Sequence, residues 1–128
     1  MPKSMDGGRP MTDSTNILLV DRPAALERVG GDEGLLREIA GLFIEEYPEI
    51  LEAIERAAGA GDARALERAA HNLKGSASNF GAQPVTDAAL RLERMGRAGD
   101  LSGAAGAVGE LREWMRKLDA ELRALSGR

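Results

Sequence analysis

Three times this chain sets a glycine directly before an aspartate: Gly31-Asp32, Gly61-Asp62 and Gly99-Asp100. Glycine accepts the left-handed backbone that closes a helix, and an aspartate side chain accepts the free amides that open the next one. Each pair therefore reads as one helix ending and another beginning, with almost no chain between. Helices joined this tightly lie side by side and antiparallel. Few folds satisfy that punctuation.

The segments between the stops carry helical periodicity. Pro23 suits the first turn of a short helix, with Asp21 as its N-cap and Gly30-Gly31 at its end. Asp32 opens a long helix with Leu36, Ile39, Phe43, Tyr47, Ile50, Ile54 and Ala57 as its buried stripe. Pro48 lies inside that stripe; it lacks an N–H and crowds the preceding turn, which predicts a kink near Ile44 to Tyr47 rather than two helices. Gly59 and Gly61 terminate this helix, and Asp62 caps the next, which runs to Gly81. Pro84 opens a further helix, with Val85, Ala88, Leu92 and Met95 inward and Gly99 as its stop. Asp100 caps the last helix, in which Leu101, Ala104, Val108, Leu111, Met115, Leu118, Leu122 and Leu125 keep three–four spacing. Gly103, Gly106 and Gly109 each weaken its first half by roughly 1 kcal/mol relative to alanine, so either the helices approach closely there or this one starts late.

Ile17 to Asp21 forms a short apolar run with no second strand to pair with, and reads as an extended lead-in packed on the helices. Residues 1–16 mix glycine, proline, hydroxyl and charged residues without periodicity, which predicts a flexible leader ahead of a domain over residues 17–126. The expected fold is all-α: an antiparallel up-down-up-down four-helix bundle with a short N-terminal helix.

Composition narrows the function. A chain of 128 residues makes one domain large enough to bury a core. No cysteine is present, which excludes disulfides and thiolate metal sites and suits a reducing compartment. Net charge is −4 with the signs interleaved, so there is no basic stripe for nucleic acid. No stretch is apolar enough to span a membrane, and a cytoplasmic protein is expected. A di-metal bundle needs Glu-x-x-His pairs on two helices, and one histidine cannot supply them, so neither a metal nor another cofactor of the chain's own is expected.

That single histidine, His71, lies on the third helix. At about 100° per residue, His71, Lys74, Gly75 and Ser78 share one narrow arc, joined by Arg64 and Glu67 from the preceding turns. Leu66, Ala69, Ala70, Leu73, Ala77 and Phe80 take the opposite side. The helix thus buries a small apolar face and shows an imidazole to water. Neutral imidazole keeps one ring nitrogen free as nucleophile or base. For attack on phosphorus, the other nitrogen must hold the proton, and a carboxylate facing that N–H fixes the tautomer. Lys74 can meet phosphoryl oxygens, and Gly75 leaves room beside the ring for another protein's active site. No glycine-rich phosphate cradle followed by Lys-Ser/Thr is present, so the chain is not expected to phosphorylate itself from ATP.

His-x-Leu-Lys-Gly-Ser at residues 71–76, followed by Phe80-Gly81-Ala82, resembles the signature of histidine phosphotransfer (HPt) domains. Gly30-Gly31-Asp32, Gly61-Asp62, Leu92-Glu93 and Gly99-Asp100-Leu101 extend the likeness over roughly Asp21 to Leu125. The resemblance implies a monomeric phosphocarrier, not an enzyme with its own ATP site. Its histidine accepts a phosphoryl group from the aspartate of a receiver domain and hands it to another receiver. His71 matches the acceptor, and Lys74 and Gly75 match supporting positions. The ring-orienting polar residue of the following helix falls on Glu93, with Glu67 as competitor; Glu93 is preferred, because a carboxylate from a neighbouring helix meets the ring edge more squarely. The docking surface implied by the family takes in Arg64, Glu67, Arg68, Ser78, Arg97 and, on the short first helix, Leu26. Mg2+ is expected in the partner receiver. The family's second serine after the glycine is here Ala77, which the wheel places in the core. The competing expectation is a helical adaptor that binds receiver or kinase domains without phosphotransfer.

Overall fold

Local chemistry at each turn sets the helix order. In the computed structural model, which describes residues 18–127, the Asp21 carboxylate accepts from the Ala24 amide and Pro23 lies in the first turn, starting α1 (Arg22–Arg28). Asp32 accepts from the Leu35 amide and starts α2 (Glu33–Ala60). Asp62 accepts from the Ala65 amide and starts α3 (Ala63–Ser78). Pro84 sits in the first turn of α4 (Gln83–Ala98), and Gly99 closes that helix with φ 74°. Then comes α5 (Ala104–Ser126). The described residues contain no strand.

Packing runs in a ring: α2 against α3, α3 against α4, α4 against α5, and α5 back against α2, with α1 resting on α2. With tight turns between consecutive neighbours, this is the antiparallel four-helix bundle and short leading helix expected from the periodicity. The interior is built from Leu36, Ile54, Leu66, Leu73, Leu92, Leu111 and Leu118, each at most 1 % exposed. Truncating one such leucine to alanine costs about 2–5 kcal/mol. Residues 1–16, read as a flexible leader, lie outside the described residues, as does Ile17.

Several boundaries differ from the sequence reading. Asp100 does not cap the last helix: its Oδ1 accepts from the Ser102 amide at 3.2 Å and hydroxyl at 2.8 Å, closing a local turn. Helix α5 instead begins at Ala104 with Gly103 as N-cap and no side-chain cap. Late initiation therefore accounts for Gly103 alone; Gly106 and Gly109 lie inside α5, and since a Cβ on either would meet nothing within 4 Å, close helix approach does not account for them. Gly59 lies inside α2, and Gly61 alone ends it, at φ 69°. As expected, Pro48 sits within one continuous α2 and does not split it in two. Helix α3 stops at Ser78, and Gly81 closes the following turn at φ 63°.

Gly81 also shows why the Phe80-Gly81-Ala82 run is constrained. Besides its positive φ, a Cβ there would stand 2.7 Å from Asp21 Cβ. The lead-in crosses at this point: the Asp21 amide donates to the Phe80 carbonyl at 2.8 Å. Glu121 on α5 accepts from the amides of Leu19 at 2.8 Å and Val20 at 2.9 Å, and Leu19 is buried. The segment thus packs on the bundle without a strand partner.

Candidate functional site

The site lies where α3 and α4 face each other. Leu66, Ala70, Leu73 and Ala77 turn inward from α3, which leaves the His71 side chain 67 % exposed. Opposite, α4 buries Val85, Ala89 and Leu92 and takes Glu93 down with them, to 3 % exposure. A carboxylate at that depth loses most of its hydration and must be matched by positive charge and donors. Three groups match it. His71 Nδ1 lies 3.0 Å from Oε2. Arg97, one turn further along α4, donates from Nη2 to the same oxygen at 2.9 Å. Lys74 Nζ stands 2.8 Å from Oε1 as an ion-pair contact, not an aligned hydrogen bond. The Lys74 ammonium is the main cause holding the Glu93 carboxyl below its ordinary value of 4.5; burial opposes this, and His71 assists it.

Because Glu93 is acceptor-only when ionised, the nitrogen facing it is the one that donates, so the neutral form of the ring that this contact favours has Nδ1 as N–H and the lone pair on Nε2. Among the described residues Nε2 has no partner. The arrangement sets an exposed imidazole edge toward solvent and a buried carboxylate behind it, a geometry in which Nε2 can act as a nucleophile. Beside it opens a hollow of about 600 Å³ lined by Arg64, Glu67, Arg68, His71, Glu93 and Arg97. A Cβ on Gly75 would meet nothing within 4 Å, so the face one turn on is clear as well.

A family model described as Hpt domain matches residues 38–121. This chain belongs to the Hpt domain family. A solved structure similar to this Hpt domain is histidine-containing phosphotransfer protein B (HptB) from Pseudomonas aeruginosa PAO1. The two share 25 % identity with a TM-score of 0.78, over 85 % of this chain and 95 % of that one. No match was found among curated proteins.

Within the Hpt domain, the residues singled out from sequence fall into two groups. His71, Lys74, Glu93, Glu67 and Arg97 form one connected cluster, in which Glu67 meets Arg97 Nε at 3.1 Å and not the imidazole. Arg64 and Arg68 are exposed beside it, and neither has a carboxylate partner among the described residues. Ser78 stands apart: its hydroxyl donates to the Gly75 carbonyl at 2.7 Å, and its own carbonyl accepts from Arg28 of α1. Leu26 on α1 packs partly into the core.

Sequence reasoning missed two features. One is the Lys74–Glu93 pairing. The other is Gly96, where a Cβ would stand 2.6 Å from the Ala63 carbonyl oxygen. The Glu67–Arg97 pair was within reach of the sequence. In an antiparallel helix pair with His71 opposite Glu93, the residue four before His71 must face the residue four after Glu93.

Among the described residues no helix is long and apolar enough to cross a membrane, and no group of three or more His, Cys, Asp or Glu could hold a metal ion.

Proposed function

We propose that this Hpt domain is a phosphocarrier in which Nε2 of His71 accepts a phosphoryl group from a receiver's aspartyl phosphate and returns it to the aspartate of another receiver. The observation that carries this is the exposed ring with Nδ1 against buried Glu93. The Nε2 lone pair attacks phosphorus, the P–O bond to the receiver aspartate breaks, and the carboxylate leaves. The ring becomes cationic in the process, and the Nδ1–H bond to Glu93 strengthens as that charge develops. No proton need leave Nε2, because none was there. In the return step the second aspartate attacks phosphorus, the N–P bond breaks, and the ring is neutral again.

In this reading Glu93 orients the ring, and Lys74 supplies positive charge near the phosphoryl oxygens. Gly75 leaves the approach open. The receiver brings the aspartate and its own Mg2+ to a monomeric Hpt domain. Arg64 and Arg68, exposed and without ion partners, favour an acidic receiver rim by steering more than by affinity. The chain passes the group on without an ATP site of its own.

A labelled phosphoryl group on a receiver domain, mixed with this protein and Mg2+, is expected to move to the wild type and not to His71→Gln. Equal labelling of His71→Gln would defeat the proposal. A His71→Ala protein that binds receivers and still supports signalling would leave a helical adaptor in its place.

A further inference from the structure

Antiparallel packing sets two rungs side by side between α3 and α4. His71 faces Glu93 at 3.0 Å, and one turn away Glu67 faces Arg97 at 3.1 Å. Arg97 ties the rungs together. Its Nη2 donates to Glu93 Oε2 at 2.9 Å, the same oxygen that faces His71 Nδ1. On the other side of that carboxylate, Lys74 draws on Oε1 at 2.8 Å. Gly96 makes this reach possible: with no Cβ, the α4 backbone lies directly on the backbone of Ala63 and Glu67.

We infer that Arg97 is a positioning residue for His71: anchored by Glu67, it holds Glu93 Oε2 beside Nδ1 and biases the neutral ring toward the tautomer with a free Nε2. This rests on the acceptor role proposed above. Without Arg97, only the ring itself holds Oε2 in place. The carboxylate then turns toward Lys74, and the acceptor that distinguishes the two ring nitrogens is weakened. Arginine suits the task because its planar fork presents separate N–H groups to two carboxylates on two helices, where lysine offers a single point charge. The charged groups around the ring are Glu67, Lys74, Arg64 and Arg68 from α3 and Glu93 and Arg97 from α4. Of these, Arg97 alone contacts two carboxylates, Glu67 on α3 and Glu93 on α4. Its side chain is 61 % exposed, so its replacement opens no cavity in the core.

The test is nitrogen-15 NMR of the free, unphosphorylated full chain at a pH where the ring is neutral. The protein has one histidine, so the ring signals need no assignment. The wild type is expected to show mainly the Nδ1–H form. Arg97→Met should shift the tautomer ratio toward Nε2–H by about threefold or more, and slow phosphoryl uptake from a phosphorylated receiver by about threefold to tenfold. Arg97→Lys should fall between the two. Glu67→Gln should shift the ratio in the same direction by less, and serves as the second variant should Arg97→Met fail to fold. An Arg97→Met ring with the wild-type tautomer ratio overturns the inference. Weaker receiver binding with that ratio unchanged also overturns it, and makes Arg97 a docking contact instead. The tautomer measurement needs no phosphoryl donor, so a failure of His71 to take label is a separate result.

Discussion

Gly96 on α4 lies so close to Glu67 on α3 that a Cβ at position 96 would stand 2.7 Å from the Glu67 amide nitrogen and 2.9 Å from its Cα. Both neighbours are helix backbone, which cannot turn aside as a side chain can. The spacing of α3 and α4, and with it the meeting of His71 with Glu93, depends on this missing methyl group.

Gly96→Ala is therefore expected to destabilise the protein by about 1–3 kcal/mol through overpacking, although alanine is the better helix former by about 1 kcal/mol. Urea unfolding reads the sign. A gain in stability would show that the helices separate at no cost.

Gly75→Ala should do the opposite in the free protein. Space around Gly75 is open, so only the helix propensity acts, and stability should rise by about 0.5–1 kcal/mol. The new methyl group stands on the face a receiver must approach, so phosphoryl transfer should slow while stability improves. A variant that gains stability and transfers at the wild-type rate would remove Gly75 from the approach surface.

Glu93 gives the acid limb of stability a specific origin. Its carboxyl titrates below 4.5 in the folded protein, chiefly because of Lys74, so folding favours the ionised form. The resulting stabilisation is complete above pH 4.5 and is lost as pH falls through the folded value. Denaturation profiles of wild type and Glu93→Gln should converge as pH falls below that point. A constant gap across the acid range would contradict the assignment.

Tyr47 provides a probe of the α2–α5 contact. It is the sole tyrosine, and its hydroxyl donates to Asp119 Oδ2 at 2.5 Å. Burial first, and then Asp119, push its pKa from 10.0 up to about 12. Folding thus favours the neutral phenol: the stability this contributes is full below pH 10.0 and is lost as pH rises toward about 12. Tyrosinate absorbance should show a midpoint near 12 in the wild type and a lower one in Asp119→Asn. A wild-type midpoint near 10.0 would contradict the contact.

Much of this was legible in the sequence because it depends on nearest neighbours along the chain. Asp21, Asp32 and Asp62 cap the helices they precede, and the stripes of α2 to α5 supply most of the core. Asp100 misled because an aspartate can also close a turn on a following serine, and Ser102 is placed for it. His71 stood out as the single histidine, on the polar arc of its helix and at the head of the His-x-Leu-Lys-Gly-Ser run. The partner of Lys74 did not, since a lysine next to an exposed site looks solvated until the depth of the facing carboxylate is known. Gly96 was invisible for a related reason: a close approach belongs to two helices at once, and neither one's periodicity reports it.

On the proposed function, His71 relays the phosphoryl group and does not merely hold it. The most direct measurement loads the protein from one phosphorylated receiver with Mg2+, isolates it, and adds a second, unphosphorylated receiver without ATP. One phosphoryl group is expected on His71, and it should leave the histidine and appear on the receiver's aspartate. Label found on another residue, or label that stays on His71 while free phosphate forms at a rate indifferent to the receiver, would contradict it.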